Sequence, residues 1–355
     1  MLISACKHGI TTPPPPRPIP DVLPELPPAH MIATRNTTMV IGVDGTLWGK
    51  GDNILGELGD GTTRRQTFFD QVGTDSDWAW VDTGHQYTVA IRTDGTLWAW
   101  GSSQFAWIQW KHDLPRSVTV PTQVGADTDW MKVAAGSGLT IAIKKDGSLW
   151  SWGSNGRGSL GVGYRTMEYS LTPRRVGTST EWAYVFAYGL RAMAIKTDGS
   201  LWGWGANAHG SLGDGTGENQ FSPVNIMPGM TWSTVALGSG HTLAIGTDGS
   251  LWAWGSNEFG QIGDGTRTIR RSPVQIGTYT DWTSVAGGGM YTIATREDGS
   301  LWVWGSQIPL FFGGLAVRDH TIPTQIHPYE HWVSVAAGNN RAFAVTKDGR
   351  IKRLG

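Results

Sequence analysis

Apolar residues in this chain fall into short alternating runs, and the runs themselves recur at a near-constant interval. Residues 232–277 carry one full period. Val235-Ala236-Leu237 ends at Gly238, and after a polar turn comes Thr242-Leu243-Ala244-Ile245. Asp248-Gly249 follows, and an Asp-Gly pair between two apolar runs is a hairpin signal, because the glycine accepts positive φ at no steric cost. The next run, Leu251-Trp252-Ala253-Trp254, has the bulky residues that strands favour. A Gly/Asn/Asp-rich loop then leads to Pro273-Val274-Gln275-Ile276, where the proline suits an edge strand. The unit therefore predicts four short antiparallel strands, A to D. No window has a sustained helical period.

The Asp-Gly pair occurs at Asp44, Asp94, Asp146, Asp198, Asp248, Asp298 and Asp348, 50 or 52 residues apart. Such a period marks a repeat protein, and radially repeated four-stranded sheets make a β-propeller. The expected fold is all-β: seven four-stranded blades, strand A at the axis and strand D at the rim. Of the 20 tryptophans, 17 fall on three repeat positions, as Trp232, Trp252 and Trp254 do. Recurrence in nearly every unit assigns them to packing between sheets rather than to a ligand platform.

The repeated DGSLWxWG followed by N-x-x-G-x-[LI]-G resembles the regulator-of-chromosome-condensation repeat family in its bacterial form. The resemblance spans residues 31–355. It implies a seven-bladed propeller, in agreement with the strand pattern. It leaves function open, because the family includes exchange factors for a small GTPase, inhibitors of β-lactamase, secreted effectors and surface proteins.

Composition narrows the choice. Net charge is −1 and 16% of residues are charged, without the concentrated basic patch that nucleic acid requires. The cluster Arg267, Arg270 and Arg271 reads as a solvated loop. No apolar run is long enough to span a bilayer. One cysteine, Cys6, excludes a disulfide framework and a thiolate metal site. No motif calls for a cofactor, a metal or a catalytic residue. Asp75/Asp77 and Asp127/Asp129 read as turn or capping residues, and Gly-Asp-Gly-Thr at 59–62, 213–216 and 263–266 as turn chemistry.

Two domains are expected: a proline-rich segment over 1–28 and the propeller over 29–355. Leu2-Ile3-Ser4-Ala5-Cys6 resembles a lipobox, so Cys6 is a candidate lipidation site on a proline-rich tether, with the propeller at the cell envelope or secreted. Only six C–D segments separate the seven A–B–C units. Pro20-Asp21-Val22-Leu23 resembles Pro121-Thr122-Gln123-Val124 and is expected to supply the missing strand D beside the C-terminal strand, closing the ring.

Positions where the seven copies differ are candidates for recognition. At the end of the A–B turn stand Thr37, Tyr87, Leu139, Arg191, His241, Tyr291 and Arg341. Tyr and Arg are frequent binding anchors, so Tyr87, Arg191, His241, Tyr291 and Arg341 are candidate contacts. Two C–D loops lose the Asn/Gly motif and gain aromatics: Phe105, Trp107 and Trp110 in one, Phe311 and Phe312 in the other. The reading is a monomeric, non-enzymatic module that binds a protein or surface ligand on the A–B/C–D face. One alternative is an exchange factor, which the family resemblance ties to a protruding insertion that the even spacing leaves no room for. The other is an axial enzyme using His241 or His85 with Tyr87 and Glu168.

Overall fold

The computed structural model describes residues 30–34, 37–102, 116–165, 169–306 and 319–354. They form sheets arranged blade after blade. Blade 1 is β1 (His30–Thr34), β2 (Thr37–Ile41), β3 (Leu47–Gly51) and β4 (Gln66–Gln71). Blade 2 is β5 (Trp78–Thr83), β6 (Tyr87–Arg92), β7 (Leu97–Ser102) and β8 (Ser117–Gln123). Blade 3 is β9 (Trp130–Ala135), β10 (Leu139–Lys144), β11 (Leu149–Gly153) and β12 (Ser170–Arg175). Blade 4 is β13 (Trp182–Tyr188), β14 (Arg191–Lys196), β15 (Leu201–Gly205) and β16 (Gln220–Ile226). Blade 5 is β17 (Trp232–Leu237), β18 (His241–Gly246), β19 (Leu251–Gly255) and β20 (Arg270–Gln275). Blade 6 is β21 (Trp282–Gly287), β22 (Tyr291–Arg296), β23 (Leu301–Gly305) and β24 (His320–Ile326). Blade 7 contains β25 (Trp332–Ala337), β26 (Ala342–Thr346) and β27 (Ile351–Leu354). Every pairing is antiparallel between consecutive strands. The all-β propeller expected from the repeat is the fold observed. Strands β1 and β25 are neighbours, so blade 1 meets blade 7. The proposed closing strand at 20–23 lies outside the described residues, among which blade 7 has three strands.

Strand A begins earlier than the apolar pattern suggests. Trp232 does not precede the strand but opens it, and the register slips between Trp232 and Thr234. That slip turns the indole back against its own blade. Trp232 meets Trp252 and Trp254 edge-on, each at 6.1 Å between ring centroids. Such tilted pairs are the favoured aromatic geometry. The triplet recurs in blades 2, 3, 4 and 6.

The repeat motifs are joints. In the Asp-Gly turn, Asp248 accepts from the backbone N–H and hydroxyl of Ser250, and Trp252 Nε1 donates to that hydroxyl at 2.8 Å. The carbonyl of Gly249 accepts from Trp282 N of the next blade at 3.1 Å. A Cβ on Gly249, at φ +78°, would lie 2.0 Å from Thr280 O, so no side chain fits there. On the other face, Trp254 Nε1 and Thr242 Oγ1 both donate to Ser211 O of the preceding blade, at 3.1 and 2.7 Å. Gly213, in the same G-x-L-G turn, has positive φ, and a Cβ there would sit 2.7 Å from the Trp254 indole nitrogen. The motif's Asn207 is buried, donating to Asp214 and accepting from Leu212 N.

A further joint was not legible as one. The last residue of strand B places a cation over the tryptophans. Lys144 Nζ lies 4.7 Å from the Trp130 ring and 5.2 Å from Trp150, and pairs with Asp127 at 2.8 Å and Asp129 at 3.0 Å. Arg92 does the same over Trp78 and Trp98, paired with Asp75 and Asp77. The acidic pairs thus hold a cation rather than only capping a turn. The arginine cluster is also paired in part: Arg270 with Asp264, and Arg267 with Asp319.

Candidate functional site

The A–B turn ring is the first place to look. Tyr87, Arg191, His241 and Tyr291 are all buried, with Arg191 only 4% exposed. Their polar atoms reach across to the next blade. The Tyr87 hydroxyl donates to Leu139 O at 2.6 Å. Arg191 donates to Gly238 O at 2.9 Å and His241 O at 3.1 Å. His241 Nε2 pairs with Thr292 Oγ1 at 3.1 Å. The Tyr291 hydroxyl reaches Gly338 O at 2.9 Å and Arg341 O at 2.7 Å. The expectation that these four side chains face a partner is therefore corrected. They vary between copies, yet each closes a gap between neighbouring turns, because an unpaired carbonyl there would be costly. Arg341 is half-buried.

Enclosure shows in their proton affinities. Burial, then the nearby Arg191 charge, pushes His241 down to about 3. Burial lowers Arg191 to about 10 and raises both tyrosine hydroxyls. His241 and Tyr87 are sealed between blades and do not line the axial cavity, and His85 is half-buried. Glu168, Cys6, Phe105, Trp107, Trp110, Phe311 and Phe312 lie outside the described residues. The two aromatic loops leave the described structure at Ser102 and Ser306, on the A–B face, where those residues bond Gln86 O and Met290 O.

The second place is the axis. Strands β5, β9, β13, β17, β21 and β25 enclose a cavity of about 400 Å³. Its walls are unequal. At the third strand-A position the lining residues are Trp80 in blade 2, Tyr184 in blade 4 and Thr234 in blade 5, and Lys132 of blade 3 stands behind them over the Trp80 ring. At the fifth position stand Asp82, Ala134 and Phe186, then three alanines. Bulk, aromaticity and charge therefore collect on one side. On the A–B face the lumen is crossed by Tyr188, whose hydroxyl donates to Asn339 Oδ1 at 2.9 Å between blades 4 and 7. Toward the Asp-Gly face stands Tyr184, 46% exposed.

Trp80 and Asp82 both reach toward β9. Trp80 Nε1 donates to Val133 O at 2.7 Å. Asp82 accepts from Ala135 N at 2.9 Å and Thr83 N at 2.7 Å. Burial raises the Asp82 carboxyl to about 7, against the lowering effect of these two bonds. Lys132 Nζ lies 3.8 Å from the Trp80 ring centroid, and burial lowers its proton affinity. None of these residues was singled out from sequence. The signal was available in the third and fifth positions of strand A, compared between copies as the turn position was.

A closed ring of tryptophan-rich blades joined by Asp-Gly and Asn-x-x-Gly turns defines a repeat propeller. The chain belongs to the family of the RCC1-like domain, which matches residues 7–308. The ultraviolet-B receptor UVR8 of Arabidopsis thaliana is 26% identical over 186 residues, 51% of this chain and 41% of the receptor. The chain thus spans less than half of that relative. Among solved structures, Prp20p of Saccharomyces cerevisiae superposes with a TM-score of 0.76 at 18% identity, covering 88% of this chain and 81% of Prp20p. Human WBSCR16 superposes with a TM-score of 0.77 at 19% identity, covering 92% and 89%. At such identities the likeness is one of fold.

Proposed function

We propose that this RCC1-like propeller is a non-catalytic protein-binding module that presents its A–B/C–D face, with the loops 105–110 and 308–312 as its contacts. The observation that carries this reading is the use of the turn side chains. Tyr87, Arg191, His241 and Tyr291 bind the ring to itself, which makes that face a rigid platform. Sequence variation free to meet a partner is left to the two segments that abandon the N-x-x-G-x-[LI]-G motif. Rigid scaffolds that carry variable loops are a common recognition design. Prp20p, similar in fold, binds Gsp1p and histones. The same proposal places the ring outside the cytoplasm, attached through an acylated Cys6.

The test is crosslinking and capture from the native source with wild-type protein, a Trp107→Ala/Trp110→Ala variant and a Phe311→Ala/Phe312→Ala variant. Loss of a buried aromatic anchor weakens binding by more than about tenfold. The expected result is loss of a specific partner with an unchanged melting temperature. Undiminished capture by both variants refutes the binding face. Detergent-phase partitioning of wild type against Cys6→Ser tests the anchor, and equal aqueous partitioning refutes it.

A further inference from the structure

Asp82 is out of place in its ring. The same strand-A position holds Ile32, Ala134, Phe186, Ala236, Ala286 and Ala336 in the other copies. Its bond to Ala135 N does not explain it. The amides equivalent to Ala135 belong to Ala187, Leu237, Gly287 and Ala337, and the residue preceding each by one copy is Ala134, Phe186, Ala236 or Ala286. None of those side chains carries an acceptor, so the frame forms without that bond. A carboxylate in an apolar lumen costs free energy unless a cation or donors compensate it. Among the described residues Asp82 has two backbone donors and no ion pair. Lys132, the nearest candidate by position, makes no ion pair with it and does not line the cavity.

The surroundings suit a positive ligand. Asp82 is the only acidic or basic side chain lining the cavity among the described residues. The rest of the lining is largely apolar, with Val185, Val235 and Val285 beside Trp80, Tyr184 and Phe186. Strand A runs from the Asp-Gly face toward the A–B turn, so the aromatics at the third position lie nearer the Asp-Gly face than Asp82 does. The Trp80 and Tyr184 rings already face the Lys132 ammonium, at 3.8 and 5.8 Å, so a cation entering the lumen would be held by charge-assisted hydrogen bonds to the half-buried Asp82 carboxylate while its stem packs on the apolar lining. Ser233 and Thr234 supply further acceptors. A cavity of about 400 Å³ is within the usual range for small ligands.

We propose that the axial channel is a binding site for an organic cation, a primary ammonium or guanidinium on an apolar stem, that passes Trp80 and Tyr184 to ion-pair with Asp82. The cation is either a small amine or a Lys or Arg side chain of a partner. The site's residues stand on strand A, apart from the turn residues of the A–B face.

Isothermal titration of the full chain near pH 8, about one unit above the Asp82 midpoint, tests this. The probes are n-hexylammonium, its neutral analogue 1-hexanol, and the peptide acetyl-Gly-Lys-Gly-amide with and without acetylation of the lysine amine. The expected result is binding of at least one cationic probe, at least about tenfold weaker for its neutral counterpart and for Asp82→Asn. Binding of n-hexylammonium alone identifies a small amine, and binding of the peptide alone identifies a partner side chain. Failure of both cations to bind, equal binding by 1-hexanol, or equal binding by Asp82→Asn overturns the proposal. A second readout needs no variant. Carboxyl NMR of wild-type protein should place the Asp82 titration midpoint lower with the cation bound, and an unmoved midpoint also overturns it.

Discussion

The A–B turn ring and the axial lumen are both built from positions where the seven copies disagree, yet the disagreement means different things in the two places. In the turn ring the identities change and the task stays the same. Tyr87, Arg191 and Tyr291 each donate to the carbonyl of the residue at the same position in the next copy, or to its neighbour. In the lumen the backbone stays the same and the chemistry changes. Blades 2 to 4 bring Trp80, Asp82, Tyr184 and Phe186, and blades 5 to 7 bring Thr, Ser and Ala at the same two positions. Variation between repeats is therefore no guide to exposure. A variable position can be a joint with interchangeable donors, and a second measure, burial, separates joint from site.

The comparison breaks most visibly where a joint is removed outright. Trp254→Ala deletes a fully buried ring and its bond to Ser211 O. It should destabilise the protein by about 3–5 kcal/mol in urea unfolding, because the cavity cannot collapse inside a braced ring. The hydroxyl joints come next. Tyr291→Phe keeps the ring and removes donation to Gly338 O and Arg341 O, at a cost of about 1–3 kcal/mol. Trp80→Leu, a lumen change, should cost less stability than Trp254→Ala in the same experiment. Equal losses would mean that the lumen side chains belong to the frame.

Acid separates the two regions by sign. His241 has a folded value near 3 against an ordinary value of 6.5, so its contribution to stability is present above about pH 6.5 and is lost as pH falls toward 3. His241→Gln should flatten that loss. Asp82 has a folded value near 7 against 3.8, so its contribution is present below about pH 3.8 and is lost as pH rises toward 7. Asp82→Asn should therefore raise the melting temperature near pH 8 and leave it unchanged near pH 3. The charged or titratable groups facing this part of the lumen are Tyr87, which feels the Asp82 charge, Tyr184 and Tyr188 of the lining, and Lys132 over Trp80. Burial pushes the Tyr87 hydroxyl up, so it stays neutral over this range. A parallel pH slope for wild type and Asp82→Asn would remove Asp82 from the account. The smallest effect is expected at the cation clamps. Asp127→Asn leaves Lys144 paired with Asp129, and its exposed carboxylate should be worth less than about 1 kcal/mol.

Sequence reading went furthest where chemistry is local. Asp-Gly turns, strand lengths and prolines in strand D follow from neighbours in the chain, and the repeat supplied seven trials of the same pattern. It fell short where a side chain's role depends on the next copy. Arg191 and Gly238 are 47 residues apart, and Tyr87 and Leu139 are 52 apart. Nothing local distinguishes an arginine that crosses a blade boundary from one that meets a partner. The lumen escaped for a related reason. Trp80, Asp82 and Tyr184 lie in runs that read as ordinary strand A, and they converge only when the ring closes.

The sequence alone determined the number of repeats, the strand order within each blade and the tryptophan frame, because those depend on alternation, turn chemistry and period. Tertiary structure alone decided which variable positions are sealed and which are open. Curving the blades into a ring presses each A–B turn against the next, burying Arg191 and His241, while the inner strands stand apart around the axis and leave Asp82 facing a lumen.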